Sequence, residues 1–150
     1  MTKQTWEHDA SSTKKGVPDG LWLRCLGCGE TVFKKTLQAS LEVCPKCDHH
    51  HRVSARRRIE QIVDPGSFEP FNADLCAADP LQFVDIKPYT ERITAARKKS
   101  GENDGIRTGV GFVKGRKVVL GALDFTFLGG SMGSVVGEKI ALAIEHALDH

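Results

Sequence analysis

Four of the five cysteines stand in two Cys-x-x-Cys pairs, Cys25 with Cys28 and Cys44 with Cys47, and fifteen residues separate the pairs. This feature restricts the fold most tightly. The spacing C-x2-C-x15-C-x2-C matches a tetrahedral zinc site, in which each tight turn carries two thiolates to one metal about 2.3 Å away. Gly27 and Gly29 relax the backbone of the first turn, and Pro45 stiffens the second. The intervening residues are enough for a hairpin that brings the turns together. The segment reads as a zinc ribbon with Cys25, Cys28, Cys44 and Cys47 as ligands. Four sulfurs fill a tetrahedron and leave no place for water or substrate, so one structural Zn2+ is expected. A dithiol redox centre and an iron–sulfur cluster are the competing readings. His49, His50 and His51 are expected in an exposed loop. Cys76, with no activating histidine or basic cluster beside it, reads as a buried free thiol.

A cytosolic protein with reduced cysteines is expected, which turns the reading of the cysteine pairs away from disulfides. The N-terminal "MTKQTWEHDASSTKKG" has no apolar stretch resembling a signal peptide, and the apolar run Val118 to Leu123 is far too short to span a bilayer. No membrane association is expected. The net charge of +2 conceals an asymmetry. Residues 1–58 hold eleven Lys and Arg against six Asp and Glu, and the remainder hold ten against thirteen. The basic part is the cysteine part. With Arg52, Arg56, Arg57 and Arg58, and with Trp22 and Phe33 for stacking, it allows a nucleic-acid-binding ribbon as the alternative function. The acidic balance of the rest argues against that class.

Three segments divide the chain: a polar tail over 1–20, the ribbon over 21–53 and a second domain over 54–150. Within the ribbon, the β-branched and aromatic start of "TVFKKTLQASLEV" suggests two short strands. "SARRRIEQIVDPG" reads as a helix capped by Ser54 and stopped at Asp64-Pro65-Gly66, with Ile59, Ile62 and Val63 on its buried face. A connector with three prolines follows. "KPYTERITAARKKSG" reads as a helix with Pro88 at its start, Tyr89, Ile93 and Ala96 on one stripe and Gly101 as its stop. "IRTGVGFVKGRKVVLGALDFTF" reads as a hairpin turning at Lys114-Gly115. A last helix, "VVGEKIALAIEHALDH", is expected to bury Val136, Ile140, Ile144 and Ala147.

The stretch "DFTFLGGSMGSVVGEK" carries a strand end through Gly129-Gly130 into that last helix. Glycines at such a junction free backbone N–H groups to face a ligand, and the helix N-terminus favours anions or developing oxyanions. The spacing is neither a dinucleotide fingerprint nor a P-loop. Alone, the loop is equally a tight packing turn.

Taken in order, "GLWLRCLGCGE", "CPKCDHHHRVSARRRIEQIVDPGSFE", "ARKKSGENDGIRTGVG" and "FLGGSMGSVVGEKI" make residues 20–150 resemble the N-terminal half of the beta subunit family of the bacterial acetyl-CoA carboxylase carboxyltransferase. The resemblance implies an α+β chain, a four-cysteine zinc ribbon followed by the first part of a crotonase-like domain of stacked ββα units. It implies partnership with an alpha subunit, the biotin carboxyl carrier protein and biotin carboxylase. It also implies transfer of a carboxyl group from carboxybiotin to acetyl-CoA, giving malonyl-CoA for fatty acid biosynthesis. It places Gly129, Gly130, Ser131 and Met132 beside the acyl-CoA cleft. Arg97, Lys98 and Lys99 are candidates for the CoA phosphates, although a solvated helix end favoured by the helix dipole is the better reading of them. Family members are nearly twice as long, and the following half holds the next Gly-Gly segment, whose N–H groups serve the thioester oxygen. The chain is therefore expected to be a fragment, inactive alone.

Overall fold

The computed structural model describes residues 20–150; the tail expected over 1–20 lies almost wholly outside the described residues. The chain falls into two compact units that meet in sequence at His51 and Arg52.

In the first unit, β1 (Trp22–Arg24) pairs antiparallel with β2 (Thr31–Phe33), so that Leu23 faces Val32 across the ladder. The expected second strand of the segment is instead a helix, α1 (Lys34–Ala39), followed only by the isolated bridge between Val43 and His50. Lys, Leu, Gln and Ala are good helix formers, and α1 needs to bury only Leu37. That side chain joins Val32, Cys25 and Cys44 in a small core.

The second unit is built on a three-stranded antiparallel sheet in the order β3 (Glu69–Pro70), β4 (Ile106–Val113), β5 (Arg116–Leu123). The hairpin turns at Lys114 and Gly115, both in the left-handed region with φ of 52° and 75°. That geometry matches strand twist. Asp64 reaches over the turn and accepts from the amides of Lys114 (2.9 Å) and Gly115 (2.8 Å).

Side chains alternate across β4. Gly109 and Gly111 lie against Phe68 and against Val63, which ends helix α2 (Ala55–Ile62). Ile106 and Thr108 turn to the opposite face, beside helix α4 (Ser134–Asp149). The cap expected at Ser54 is present: its hydroxyl accepts from the Arg57 amide at 3.3 Å. Ile59 and Val63 are buried, whereas Ile62, expected beside them, is 45% exposed.

Helix α3 (Tyr89–Ser100) follows Pro88 and ends at Gly101, whose φ of 74° closes the helix. Its Ile93 and Ala96 pack with Phe127 in a second core cluster. Helix α4 buries Val136, Lys139 and Ala143. Of the expected stripe, Val136 is buried as expected, whereas Ile140, Ile144 (57% exposed) and Ala147 are exposed and line an open apolar groove between α4 and the sheet. Three strands cover only part of a helix of this length. Cys76 is exposed, not buried as expected. It sits in the connector before α3, a stretch without regular structure to cover it.

Candidate metal centre and glycine loop

The four cysteines converge. Their sulfurs all lie within 4.8 Å of one another, with Cys25 and Cys47 3.7 Å apart and Cys28 and Cys44 4.0 Å apart. A tetrahedron with metal–sulfur bonds of about 2.3 Å has edges of about 3.8 Å. The donor set and its spacing therefore fit a zinc ion.

The two turns are built alike. The amide of Gly29 donates to the Cys25 carbonyl and that of Asp48 to the Cys44 carbonyl, each closing a turn after four residues. The amides of Cys25 and Cys44 in turn donate to the carbonyls of Glu30 and His49, five residues on. Each turn ends on a left-handed residue, Gly29 at φ 75° and Asp48 at φ 56°. Gly27 is required for another reason, since a Cβ there would stand 2.8 Å from that of His49. Its amide lies 3.4 Å from the Cys25 sulfur. His49 and His51 are half-buried and meet edge to face at 5.0 Å, so only His50 of the three is as exposed as expected.

The thiols do not ionise alike. Cys25 is held down to about 5, first by the Cys28 amide, against partial desolvation, with the Gly27 amide and the neighbouring thiols assisting. Cys47 is pushed up to about 12: the His49 amide favours its thiolate, but desolvation and the other three sulfurs outweigh it. Four negative sulfurs so close together repel one another, and a divalent cation removes that repulsion.

The glycine loop lies in the second unit and is anchored by Asp124. This buried carboxylate accepts from the Ala55 amide (3.0 Å) at the start of α2, and from the amide (2.9 Å) and hydroxyl (2.5 Å) of Thr126. Burial raises its pKa, yet these hydrogen bonds outweigh burial and hold it below the ordinary value. Beyond Thr126 the chain makes a single 3-10 turn, Leu128–Gly130, with Gly129 and Gly130 at φ 70° and 78°. The Gly130 amide donates to the Phe127 carbonyl at 2.9 Å and that of Ser131 to Leu128 at 3.4 Å. These two N–H groups close the turn and do not face a ligand. All three residues of the turn are left-handed, Leu128 at φ 44° with the two glycines, and the glycines adopt that conformation without a Cβ penalty. Gly130 also carries the Phe125 ring, 2.8 Å from where a Cβ would stand. Met132 is exposed, and α4 then begins after Gly133 with neither a capping side chain nor an acid in its first turn.

Beside the loop runs an open groove of about 610 Å3, lined among others by Lys87, Arg92, Lys99, Phe125, Leu128 and Gly129. Of the basic residues expected near a ligand, Lys99 lines it. Arg97 instead donates to the carbonyls of Asn103 (3.1 Å) and Ala77 (3.3 Å). Sequence reasoning missed Lys87, Arg92 and Phe125. Phe125 stands four residues before Gly129 and could have been singled out as an aromatic at a strand end.

Comparison with known proteins decides between the enzyme and nucleic-acid readings. Residues 22–47 match the acetyl-CoA carboxylase zinc finger domain. Residues 49–150 match the carboxyl transferase domain. The chain belongs to the carboxyl transferase domain family. Its relatives include acetyl-coenzyme A carboxylase carboxyl transferase beta subunits. That of Citrifermentans bemidjiense is 50% identical over 132 residues, covering 88% of this chain and 47% of the relative. That of Synechococcus sp. (strain JA-2-3B'a(2-13)) is 46% identical over 143 residues, covering 95% and 46%. The chain thus spans about half the length of the curated relatives it matches. Among solved structures, transcarboxylase 12S with methylmalonyl-coenzyme A and methylmalonic acid bound superposes with a TM-score of 0.50 at 29% identity, over 65% of this chain and 17% of that one. The ribbon is therefore a zinc ribbon on a carboxyl transferase fold, as the resemblance implied. Among the described residues, no helix is long and apolar enough to cross a membrane.

Proposed function

We infer that this chain is the ribbon-bearing half of an acetyl-CoA carboxylase carboxyltransferase beta subunit. In that role it helps transfer a carboxyl group from carboxybiotin, carried on a partner protein, to acetyl-CoA. The product, malonyl-CoA, feeds fatty acid biosynthesis in the cytosol. An alpha subunit, the biotin carboxyl carrier protein and biotin carboxylase are the partners. The observation that carries this reading is the unbroken succession of ribbon match and carboxyl transferase match, which runs through the glycine loop.

Cys25, Cys28, Cys44 and Cys47 hold the zinc. It supplies a structural cross-link and no chemistry, because four sulfurs complete its coordination. Gly129, Gly130, Ser131 and Met132 border the acyl-CoA cleft. Carboxylation at the acetyl α-carbon needs negative charge stabilised at the thioester oxygen, for which preorganised N–H donors contribute about 3–4 kcal/mol each. The uncapped first turn of α4 leaves amide donors and a positive dipole end at the end of the loop. Biotin, when present on its carrier, supplies the transferable carboxyl group.

The test is a chimera in which residues 20–150 replace the aligned half of the C. bemidjiense subunit, combined with that organism's alpha subunit. The chimera should carboxylate a soluble biotin derivative at the expense of malonyl-CoA. A folded chimera that binds the alpha subunit yet transfers no carboxyl group overturns the reading.

A further inference from the structure

Helix α4 buries a charge that the proposed reaction does not use. Lys139 is 3% exposed, more deeply covered than Ala143 one turn further on, although lysine is almost never fully buried unless paired. Among the described residues it makes no direct ion pair. Burial draws its pKa down, and the opposing attractions come, largest first, from Asp104, Glu102, Asp74 and Cys76. Asp104 is itself buried, and its carboxylate accepts from the Gly105 amide at 2.7 Å.

The position of these two charges gives them leverage over the glycine loop. Gly105, beside Asp104, forms a corner on which three elements rest. A Cβ there would stand 3.5 Å from the Ser131 carbonyl oxygen and 3.6 Å from both the Phe127 ring and Val136. The Gly105 carbonyl also accepts from the Asp124 amide at 2.8 Å. Lys139 follows the buried Val136 by three residues, on the same face of α4. Helical side chains lean toward the helix N-terminus, which carries the ammonium back toward Val136 and the Gly105 corner. Buried opposite charges add little net stability, because desolvation offsets their attraction. What they favour is the one arrangement in which they face each other.

We propose that Lys139 and Asp104 are positioning residues whose buried charges hold the first turn of α4, and the glycine loop before it, on the Gly105 corner. Only the catalytic consequence rests on the carboxyltransferase reading above: amides at the start of α4 serve a developing oxyanion only when held in place. Neither residue lines the groove beside the loop, so both act through the backbone and not on substrate.

Amide hydrogen exchange on the full chain, read by NMR, tests it. Lys139→Met strands the Asp104 carboxylate and should lower Tm; adding Asp104→Asn removes that charge and should restore most of it. In the double variant the amides of Gly130 and Gly137, which donate to the Phe127 (2.9 Å) and Gly133 (3.1 Å) carbonyls, should exchange about tenfold faster. Those of the β4–β5 hairpin should keep parent rates. Asp104→Glu, which keeps both charges and shifts one by a methylene, is the second variant should the first not fold, with the same pattern expected. In the chimera, the double variant should lower kcat about tenfold and leave KM for malonyl-CoA within about twofold, the mark of displaced rather than missing donors. Parent exchange rates at Gly130 and Gly137, an acceleration shared equally by the hairpin, or an unaltered kcat in an active chimera overturns the proposal. A parent chimera that transfers no carboxyl group fails the earlier reading and leaves the exchange result standing, so the two fail separately.

Discussion

Paired alanine substitutions in the glycine loop separate backbone strain from side-chain crowding. Gly129 and Gly130 share nearly the same left-handed conformation, with φ of 70° and 78°. An added Cβ at Gly129 meets open space, whereas at Gly130 it meets the Phe125 ring at 2.8 Å. Alanine in the left-handed region costs about 1–2 kcal/mol, and its stiffer unfolded chain returns about 0.4–1 kcal/mol. Gly129→Ala should therefore destabilise the second unit by about 1 kcal/mol, a fall in Tm of about 4–8 °C for a unit of this size. Gly130→Ala carries the same backbone cost and must also push the ring from its rotamer. Because Phe125 is 61% exposed, the ring can swing outward, which adds only about 0.5–1.5 kcal/mol. Thermal and urea unfolding of the second unit measure both effects. With Phe125→Ala in place, the two alanine variants should become equal, a coupling that a double-mutant cycle reads directly. Equal losses in the presence of Phe125, or an excess loss in Gly130→Ala over Gly129→Ala that survives Phe125→Ala, would refute the packing of ring on glycine.

Three further outcomes follow from the same geometry. Asp124→Ala leaves the buried Ala55 amide without its partner and releases the exposed Thr126 from its anchor, and should cost about 1–3 kcal/mol. Because the Asp124 pKa is lower folded than unfolded, its contribution is present above the unfolded value of about 4 and is lost as pH falls through the lower folded value. Asp124→Asn should flatten that part of the acid-unfolding curve. Gly109→Ala sets a Cβ 2.5 Å from the Glu69 carbonyl oxygen and against the half-buried Phe68 ring; backbone yields less readily than a side chain, and a loss of about 1–3 kcal/mol in urea unfolding is expected. Metal chelation at neutral pH should collapse the NMR dispersion of the first unit, whose small core consists of Val32, Leu37 and two of the cysteines, and leave the second unit folded. The metal contributes on the order of 10 kcal/mol in such modules.

Much of this architecture was legible because local rules and tertiary demands agree. Cysteine spacing specified the ribbon, Ser54 and Gly101 marked helix ends through capping chemistry, and Lys114-Gly115 marked the hairpin through its need for positive φ. Where the reading failed, burial was decided by neighbours that the local pattern does not contain. Helix α1 is too short for a period to show, and the β-branched residues before it drew the reading toward a strand. On α4 the expected stripe holds only at Val136; Ile140, Ile144 and Ala147 are exposed, and the fold buries Lys139 and Ala143 in their place. Lys139 is invisible to any hydropathy argument: burial draws its pKa down while Asp104, Glu102, Asp74 and Cys76 act to restore it. The groove-lining Lys87 and Phe125 are well separated in sequence and meet only through folding.

The cysteine cluster is where spacing in the sequence and distance in the fold meet, and zinc K-edge X-ray absorption on the purified full chain, with metal content measured on the same sample, tests it most directly. One zinc per chain with four sulfur scatterers at about 2.3 Å is the result expected from Cys25, Cys28, Cys44 and Cys47. A nitrogen scatterer at about 2.0–2.1 Å, as His49 or His51 would give, or folded protein with no zinc, would contradict it.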